Sequence, residues 1–584
     1  MSASVAFSSL WVASVAIAAS LGAQAQLRPS QPEPPSGWTP KKLATAKRHM
    51  VAAGHPLAVE AGLAMLDRGG SAADAAIAAQ LVLGLVEPQA SGLGGGAFFL
   101  HFDARAKRVS AIDGRETAPA AATASLMLKA DGKPMGFQEA VVGGRSVGVP
   151  GTPRLLEVMH ARHGRLAWAA LFAPAIALAE KGFPVSPRVF TLLSQDKGLK
   201  DNAQARAYFF TAGGAPKPVG TILRNPEYAK TLRLIAAKGA DAFYEGGIAA
   251  DIVAAVAGHP ANPGAMTLAD LSGYRVRDGE PVCGAYRAWK LCGMPPSSSG
   301  GVAVLQILGV LAGRDLSRVR PGSAEAVHLL SEAGRLAFAD RNRYLGDDRF
   351  VDVPVQGLVD PAYLAARAKL ISADKSMGRA QPGTPPGLKV AFADDPVDEA
   401  AGTSHIAVVD AAGNGVSMTT TIEGFFGAKQ MVRGFLLNNE LTDFNFAPVE
   451  DGRLTANAVA PGKRPRSSMA PFLVLDGAGG RLEQVVGSPG GSLIINYVAK
   501  ALVATLDWRM DMQAAIDLPN RGSRGGPTEI EKGTELEAVS AALKAMGHDV
   551  RPIDMTSGLA GIRRTATGWE GGADPRREGL AKGR

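Results

Sequence analysis

Hydrophobic and polar positions follow different periods in the two parts of this chain. Near the front, "HPLAVEAGLAMLDRGGSAADAAIAAQLVLGLVEPQ" places apolar residues at helical spacing, and Gly69-Gly70 separates two predicted helices. Ser71, with Asp74 three residues later, forms the pattern of a capped helix start. A long amphipathic helix is predicted over "SAEAVHLLSEAGRLAFADRNRYLGD". From Thr403 onward the period is mainly two, which indicates strands.

The later part of the chain alternates predicted strands with predicted helices. The predicted strands are "HIAVVD", "VSMTTTI", "PFLVLDG" and "LEQVVGS", and the predicted helices are "LIINYVAKALVATLDW" and "GTELEAVSAALKAMGH". Runs of helices that flank runs of strands favour a layered α+β architecture with sheets buried between helices.

One predicted hairpin, "TSHIAVVDAAGNGVSMTTT", places two threonines opposite each other. A three-residue loop from Ala411 to Gly413, with the glycine in the left-handed position, pairs Asp410 with Asn414. Counting outward, this register sets Thr403 across from Thr421. On these residues alone an ordinary β-hairpin without chemistry is the better interpretation, because threonine is common in strands.

The amino terminus indicates export. An apolar stretch from Leu10 to Gly22 is followed by Ala23-Gln24-Ala25, which fits a signal-peptidase site and predicts a signal peptide over residues 1–25. A buried apolar helix is the alternative, since a charged start is missing. No later stretch has the roughly 18 uninterrupted apolar residues that a membrane span requires. The full sequence of 584 residues is 46% apolar. The mature chain is therefore long enough to bury a large core.

The distribution of charge argues against nucleic-acid binding, and the spacing of the histidines argues against a metal site. The net charge of +8 comes from scattered residues without a basic, aromatic-rich stripe, which favours a solvated surface and argues against nucleic-acid binding. His160 and His163 have helical spacing, but no neighbouring set of Cys, Asp or Glu completes a metal site. We therefore expect no metal and no cofactor.

The two cysteines lie in "PVCGAYRAWKLCGMPP". If Arg287 and Ala288 form a two-residue turn, Cys283 falls opposite Cys292 at a separation that permits a disulfide. The residues alone do not distinguish a disulfide from two buried thiols. In both cases the two cysteines have a structural role.

Six further motifs occur in a fixed order: "VEPQASGLGGGAFF", "GRETAPA", "LLNNELTDF", "PGKRPRSSMAP", "GSPGGS" and "GGADPRREG". Together with the hairpin they resemble the γ-glutamyltranspeptidase (glutathione hydrolase) family, from about Met50 to the carboxyl terminus. The resemblance implies an inactive precursor that cuts itself before a threonine, here between Gly402 and Thr403. It also implies a four-layer αββα sandwich of the N-terminal-nucleophile type, built from a large subunit (26–402) and a small subunit (403–584).

The resemblance also implies the catalytic residues. Thr403 matches the nucleophile, Thr421 matches its hydroxyl partner, and the backbone amides of Gly490 and Gly491 match the oxyanion hole. Elementary chemistry agrees, because a threonine hydroxyl needs a nearby base and cleavage would free an α-amine with a pKa near neutrality. His405 lacks a serine or cysteine nucleophile motif beside it, so we expect a buried structural histidine.

A γ-glutamyl donor presents an α-carboxylate and an α-ammonium, and the resemblance supplies partners for both. Arg115, Ser467 and Ser468 match the carboxylate-binding residues, and Glu440 and Asp443 match the ammonium-binding residues. Two departures affect specificity. Glu423 stands where many relatives have asparagine, and the connection from Asp443 to Ser467 is short and lacks the lid tyrosine of some relatives, which predicts a more open acceptor side.

The expected function is a secreted or periplasmic, self-processing γ-glutamyltransferase and glutathione hydrolase. It would pass the γ-glutamyl group from glutathione or similar compounds to water or to an amino acid or peptide amine. One alternative keeps the machinery and changes the donor to a glutaryl or cephalosporin-type compound. Another is a non-catalytic periplasmic protein that binds γ-glutamyl compounds without cleaving them.

Overall fold

A computed structural model describes residues 34–390, 392–395, 402–450, 452–477 and 480–584. The predicted signal peptide (1–25) lies outside the described residues. Helices of eight or more residues within the described part are Pro56–Asp67, Ala72–Val86, Thr152–His163, Ala173–Lys181, Pro187–Gln195, Pro226–Lys238, Gly246–Ala257, Gly300–Leu311, Ala324–Tyr344, Pro361–Ala368 and Ile494–Leu506.

Two antiparallel sheets of seven strands form the centre of the fold. The first sheet has the strand order Leu580–Gly583, Met50–Ala53, Thr403–Val409, Gly415–Thr421, Gly96–Asp103, Arg108–Gly114 and Arg277–Gly279. The second sheet has the order Ala44–Ala46, Gly568–Ala573, Ala560–Thr565, Leu482–Gly487, Phe472–Asp476, Trp289–Gly293 and Val282–Tyr286. Residues on both sides of position 402 therefore contribute strands to both sheets.

The strand Thr403–Val409 is buried on both faces. Ile406 and Val408 belong to a core cluster with the helices Pro56–Asp67 and Ala72–Val86. Ala407 and Val409 belong to a second cluster, which continues through the second sheet to the helices that cover it. Because side chains alternate along a strand, Thr403 and His405 share the face that points toward the second sheet.

The hairpin between the two central strands has the predicted register. Thr403 pairs with Thr421 and Val409 pairs with Gly415, which confirms the pairing deduced from the loop. Gly413 adopts φ +85°, and its N–H donates to the Asp410 carbonyl at 3.0 Å. The Asp410 carboxylate also accepts a hydrogen bond from the Ala72 N–H at 3.2 Å, so the turn is tied to the start of a core helix.

Other local predictions are also confirmed. Ser71 and Asp74 form the expected capping box at the start of helix Ala72–Val86. Cys283 and Cys292 pair across a two-residue turn and form a disulfide, which settles the alternative that the sequence left open. One predicted helix is not continuous. The segment "GTELEAVSAALKAMGH" forms a 3-10 turn, Glu535–Val539, followed by a short α-helix, Ser540–Ala545. Among the described residues, none of the helices combines the length and apolarity needed to cross a membrane.

Candidate active site

Thr403 and Thr421 form a chain of hydroxyl groups at the open end of the hairpin. The Thr403 Oγ1 donates to the Thr421 Oγ1 at 3.4 Å, and the Thr421 Oγ1 donates to the Gly402 carbonyl at 2.7 Å. The Thr421 oxygen also accepts the Glu423 N–H at 2.8 Å. Both threonines are buried. The Thr403 hydroxyl thus lies at the end of a hydrogen-bond path to the carbonyl of the preceding residue.

Gly402 fits a space that leaves no room for a side chain. A Cβ at this position would lie 2.2 Å from the Glu423 carbonyl oxygen and 2.8 Å from the Gly424 carbonyl carbon. The backbone after the second threonine strand therefore passes directly against the residue before Thr403. Close approach of two backbones is one of the few structural reasons that demand glycine.

Buried polar groups from distant segments surround the first residues of this strand. The Arg577 Nη1 donates to the Thr403 carbonyl at 3.0 Å, and the Ser404 hydroxyl donates to the Glu87 carboxylate at 2.7 Å. Glu87, Ser404 and Arg577 line the same small cavity, so these contacts fix the start of the strand in a shared polar environment. Glu87 lies in the motif "VEPQASGLGGGAFF" and Arg577 in "GGADPRREG", but the sequence analysis gave neither residue a role.

His405 has the environment of a structural residue. Its Nδ1 is 2.9 Å from the Thr419 hydroxyl, and its ring packs so closely on Gly487 that a Cβ there would lie 2.3 Å from the imidazole Cε1. Burial lowers the pKa of His405 to about 3, so the ring is neutral at physiological pH. The prediction of a buried histidine agrees with this environment.

Gly490 and Gly491 form the turn between the strand Leu482–Gly487 and the helix Ile494–Leu506. Their φ angles are +135° and +57°, in the region that favours glycine. A Cβ at Gly490 would lie 2.5 Å from the Tyr497 ring. Pro489, next to them, lines the same small cavity as Ser404 and His405, which places the turn beside the threonine strand.

Arg115 is buried in a ring of oxygen acceptors. It forms ion pairs with Glu440 and with Asp443, the latter at 2.7 Å from Nη2 to Oδ2. Its Nε donates to the Pro465 carbonyl at 3.2 Å and its Nη2 to the Arg466 carbonyl at 2.9 Å. The predicted carboxylate binder and the predicted ammonium binders are therefore paired with one another.

Ser467 and Ser468 lie beside this group and are held by a helix of the preceding part of the chain. The Arg341 Nη2 donates to the Ser468 hydroxyl at 2.8 Å, and its Nε donates to the Ser299 hydroxyl at 2.9 Å. Ser299 in turn donates to the Ser467 carbonyl at 2.7 Å. Arg341 and Ser299 escaped the sequence analysis because neither belongs to a recognised motif.

Glu423 takes up a strained position next to the threonines. It has φ +72°, it is buried, and its carboxylate accepts a hydrogen bond from the Asn439 side chain. The Asn439 Oδ1 accepts the Gly424 N–H at 2.9 Å. A non-glycine residue in the left-handed region costs on the order of 1 kcal/mol, which the surrounding hydrogen bonds offset.

Glu116 is a further buried carboxyl group that the sequence analysis missed, although it follows Arg115 directly. Burial raises the pKa of Glu116 to about 7, and the neighbouring Arg115 opposes that rise. Burial also raises the pKa of Glu440 well above its ordinary value, again against the effect of Arg115. The site therefore contains more carboxyl groups than one guanidinium can keep ionised.

One cluster outside this region has metal-binding residue types. His328 Nδ1 and His548 Nε2 are 2.8 Å apart, with Glu332 nearby. The His328 Nε2 donates to the Ser372 carbonyl at 2.8 Å, so its Nδ1 accepts a hydrogen bond from His548. Glu332 forms an ion pair with Arg335 at 2.5 Å. Partners within the chain thus already occupy the atoms that a metal would need.

The chain is similar to proteins of one family over nearly its whole length. The model of the γ-glutamyltranspeptidase family matches residues 58–583. The chain is 38% identical to a glutathione hydrolase proenzyme of Bacillus subtilis (strain 168), over 94% of each chain. It is 39% identical to the acylase ACY 1 proenzyme of Pseudomonas sp. (strain SE83), over 87% of this chain and 88% of that one.

A solved structure has the same fold. The cephalosporin acylase from Bacillus halodurans superposes with a TM-score of 0.81 at 28% identity, covering 94% of this chain and 97% of the other. The resemblance stated from the motifs is confirmed by these matches. The chain, which places two buried threonines at the head of one hairpin, belongs to the γ-glutamyltranspeptidase family of enzymes.

Proposed function

We propose that this chain is a self-processing γ-glutamyltransferase and glutathione hydrolase, with Thr403 as its nucleophile. The observation that supports this most strongly is the hydrogen-bond path from the Thr403 hydroxyl through Thr421 to the Gly402 carbonyl. Family membership supplies the reaction type, and this geometry supports the choice of residues. Because an acylase proenzyme is also among the similar proteins, the choice between a γ-glutamyl donor and a glutaryl donor depends on the residues of the donor pocket.

Maturation begins when the Thr403 oxygen attacks the Gly402 carbonyl carbon. The Thr403 proton passes to the Thr421 oxygen, and the Thr421 proton passes to the carbonyl oxygen, so that no separate charge accumulates. The Gly402–Thr403 C–N bond then breaks, the proton on the former carbonyl oxygen passes to the departing nitrogen, and an ester with a restored carbonyl remains. Water hydrolyses this ester to leave a large subunit (26–402) and a small subunit (403–584).

Cleavage provides the base for the catalytic cycle. The new α-amine of Thr403 accepts the proton of its own hydroxyl, and the oxygen attacks the γ-glutamyl amide carbonyl. The N–H groups of Gly490 and Gly491 stabilise the oxyanion, and the leaving amine takes the proton. Water or an amino acid or peptide amine then attacks the γ-glutamyl ester and frees Thr403.

The donor pocket suits a zwitterion. The α-carboxylate takes the place of Glu440 and Asp443 on Arg115, with the Ser467 and Ser468 region beside it. The two displaced carboxylates then receive the α-ammonium, with Glu423 adding negative charge. In this exchange Arg115 and the displaced carboxylates each keep a partner of opposite charge, whereas a glutaryl donor brings no ammonium for the displaced carboxylates.

Several finer expectations remain part of this proposal. The two sheets and their helices would form the four-layer αββα sandwich of N-terminal-nucleophile hydrolases, and both subunits would contribute to it. The enzyme would be periplasmic or secreted and would need no metal or other cofactor. The short hairpin Val449–Glu450 and Arg453–Leu454, with its exposed Val449 and Leu454, would leave the acceptor side open.

The test is made on the purified full-length protein. Denaturing electrophoresis should show two chains, and mass spectrometry should find the smaller one starting at Thr403. The same preparation should hydrolyse γ-glutamyl-p-nitroanilide faster than glutaryl-p-nitroanilide. A single uncut chain without turnover would overturn the proposal in favour of a binding protein, and faster turnover of the glutaryl compound would favour an acylase.

A further inference from the structure

The first sheet has a gap beside the start of the strand Thr403–Val409, here called the threonine strand. The neighbouring strand Met50–Ala53 pairs with it from Ile406 onward, so residues 403–405 extend past the end of that neighbour. On its other side the threonine strand stays paired with Gly415–Thr421 over its whole length. Backbone groups of residues 403–405 that face the gap must therefore find partners other than a strand.

The hydrogen-bond pattern of the hairpin shows which backbone groups face this gap. The Asp410 N–H donates to the Asn414 carbonyl at 3.0 Å, which makes these two residues a hydrogen-bonded pair. Hydrogen-bonded and non-hydrogen-bonded pairs alternate along an antiparallel ladder. Counting back from Asp410, Thr403 and Thr421 form a non-hydrogen-bonded pair, so the nitrogen and the carbonyl of Thr403 both point away from Thr421 and toward the gap.

Arg577 takes the position of the missing strand partner. Its Nη1 donates to the Thr403 carbonyl at 3.0 Å, and the residues that end the neighbouring strand, Ala53 and Gly54, line the same small cavity as Arg577. The nitrogen and the carbonyl oxygen of one extended residue are about 3.5 Å apart, so the guanidinium nitrogen lies at most about 6.5 Å from the Thr403 nitrogen. A buried positive charge therefore lies beside the nitrogen that self-cleavage would free.

The elements that pack around the start of the threonine strand contribute further charged and titratable side chains. These are Glu87, Arg188, His405, Glu423, Tyr497, Asp574, Arg577 and Glu578. Burial lowers the pKa of His405 to about 3 and raises the pKa of Tyr497, so both side chains are neutral at physiological pH. The Asp574 carboxylate lies 3.1 Å from the Arg576 Nη1 and thus has a cation of its own.

Glu87 is the carboxylate that contacts the threonine strand. It accepts a hydrogen bond from the Ser404 hydroxyl at 2.7 Å, and its other oxygen lies 3.9 Å from the Arg188 Nε. Arg577, by contrast, hydrogen-bonds Thr403 itself. The negative charge of Glu87 is therefore shared with Arg188 and is attached one residue further along, whereas the positive charge of Arg577 is attached to the residue that would carry the new amine.

We propose that Arg577 is a positioning residue whose positive charge keeps the freed α-amine of Thr403 unprotonated at neutral pH. The inference rests on the proposed function, because it concerns the base that self-cleavage creates. An ordinary α-amine has a pKa of about 7.7 to 8.0, so most of it is protonated at pH 7 and cannot accept the proton of the Thr403 hydroxyl. A nearby cation disfavours the ammonium form and leaves more of the amine free.

The distance sets the size and the sign of the effect. Two unit charges about 6.5 Å apart, at an effective dielectric constant of about 20, shift a pKa by up to about two units. Glu87 opposes part of this shift, so we expect Arg577 to lower the pKa of the amine by about one unit. Because the free amine is the active form, kcat/KM falls on the acid side of this pKa, and removal of the cation should move that fall to higher pH.

The test measures kcat/KM for γ-glutamyl-p-nitroanilide with the mature wild type and with Arg577→Gln, between about pH 5.5 and about pH 9. A glutamine can still donate to the Thr403 carbonyl but carries no charge. We expect its acid midpoint, the pH at which kcat/KM has fallen to half of its plateau, to lie about one pH unit above that of the wild type. Below both midpoints the variant should be about tenfold slower, and at the alkaline end it should approach the wild type.

Two further variants separate charge from structure. Arg577→Lys keeps the positive charge and should restore the wild-type acid midpoint. The matched control is Arg564→Gln, because the Arg564 Nε also donates to a strand carbonyl, that of Leu482, at 2.7 Å, but near the closed end of the hairpin. This control should keep the wild-type acid midpoint. A purely structural role of Arg577 would lower the melting temperature or the plateau without moving the midpoint.

The inference is overturned if Arg577→Gln has the acid midpoint of the wild type, or if the wild-type midpoint lies at or above the ordinary amine value of about 7.7. A folded Arg577→Gln that stays uncut also overturns it, because the precursor has no free amine on which the charge could act. If Arg577→Gln does not fold, Arg577→Lys decides: a wild-type midpoint supports the inference, and a midpoint raised by about one unit overturns it. Failure of the proposed function is a different observation, namely a wild type that stays uncut or does not hydrolyse the donor.

Discussion

The threonine dyad, formed by Thr403 and Thr421, and the proposed donor pocket around Arg115 are built in opposite ways. The dyad comes from one hairpin, with Thr403 and Thr421 only 18 residues apart and joined by neutral hydroxyl groups. In the pocket, Arg115 lies 328 residues from Asp443 and 351 residues from Arg466, both of which it contacts. Local turn chemistry can set the first arrangement, whereas only the complete fold can assemble the second.

The two regions also differ in how they use burial. The hydroxyl groups of the dyad satisfy one another, so they cost little to bury. The pocket around Arg115 buries several charges whose balance would change on binding of the proposed donor. Buried ion pairs stabilise a fold weakly, but the loss of one partner is costly. We therefore expect mutations in the dyad to act on chemistry and mutations in the pocket to act on binding.

Replacing Thr403 gives the largest expected effect. Thr403→Ala should leave one full-length chain on a denaturing gel and lower γ-glutamyl-p-nitroanilide hydrolysis by at least about 10⁴-fold, because nucleophile and base are both lost. Thr403→Ser keeps a hydroxyl group and should still mature. If Thr403→Ala matures normally, the nucleophile has been assigned to the wrong residue.

The second effect concerns Thr421 and separates its role from that of Thr403. Thr421→Ala removes the donor to the Gly402 carbonyl and should slow self-cleavage by about 10²- to 10³-fold, the usual cost of one oxyanion donor. Thr421→Ser should recover most of the rate. The fraction of cut chain is followed over time by gel, and cleavage of Thr421→Ala at the wild-type rate would rule out the proposed proton path.

A change at Arg115 tests the pocket side of the comparison. Arg115→Lys should mature as the wild type does but raise KM for γ-glutamyl-p-nitroanilide about 100-fold, because lysine cannot hold two carboxylates in the bidentate geometry of a guanidinium. Arg115→Ala is a poorer probe. It leaves Glu440 and Asp443 buried without their cation, which should also destabilise the fold by about 3 to 5 kcal/mol. An unchanged KM for Arg115→Lys would contradict the donor site.

The closed end of the hairpin should affect stability alone. The Asp410 carboxylate accepts hydrogen bonds from Ala412, Asn414 and Ala72, so Asp410→Ala should cost about 2 kcal/mol of unfolding free energy. Thermal unfolding should show a melting temperature lower by about 2 °C, with normal maturation and kcat. Loss of maturation in this variant would mean that the turn, and not only the dyad, controls the chemistry.

The smallest effect, taken per pH unit, is an acid-dependent loss of stability. Burial lowers the pKa of His405 to about 3, so the folded chain keeps it neutral while the unfolded chain protonates it below about pH 6.5. The free energy of unfolding should therefore fall as the pH drops below 6.5, by about 1.4 kcal/mol per pH unit for this histidine. Denaturant midpoints measured against pH should show a shallower fall for His405→Asn, and an equal fall would assign the effect to other groups.

Much of the dyad could be predicted from the sequence because its determinants are local. Gly413 specifies the turn, the alternating pattern specifies the strands, and counting from the turn gives the partner of Thr403. The motif resemblance added Arg115, Glu440 and Asp443 one by one. It did not predict that they would pair with one another, because a pairing depends on distance in space and not on residue type.

The sequence by itself therefore determined the hairpin register, the capped core helix, the two facing cysteines and the family. Only the tertiary structure decided that Arg577 holds the Thr403 carbonyl, that Arg341 supports Ser468, and that Glu440 pairs with Arg115. The physical reason is that turns and strand periods act over a few bonds, whereas burial and Coulomb interactions depend on which distant side chains the packing of the sheets brings together.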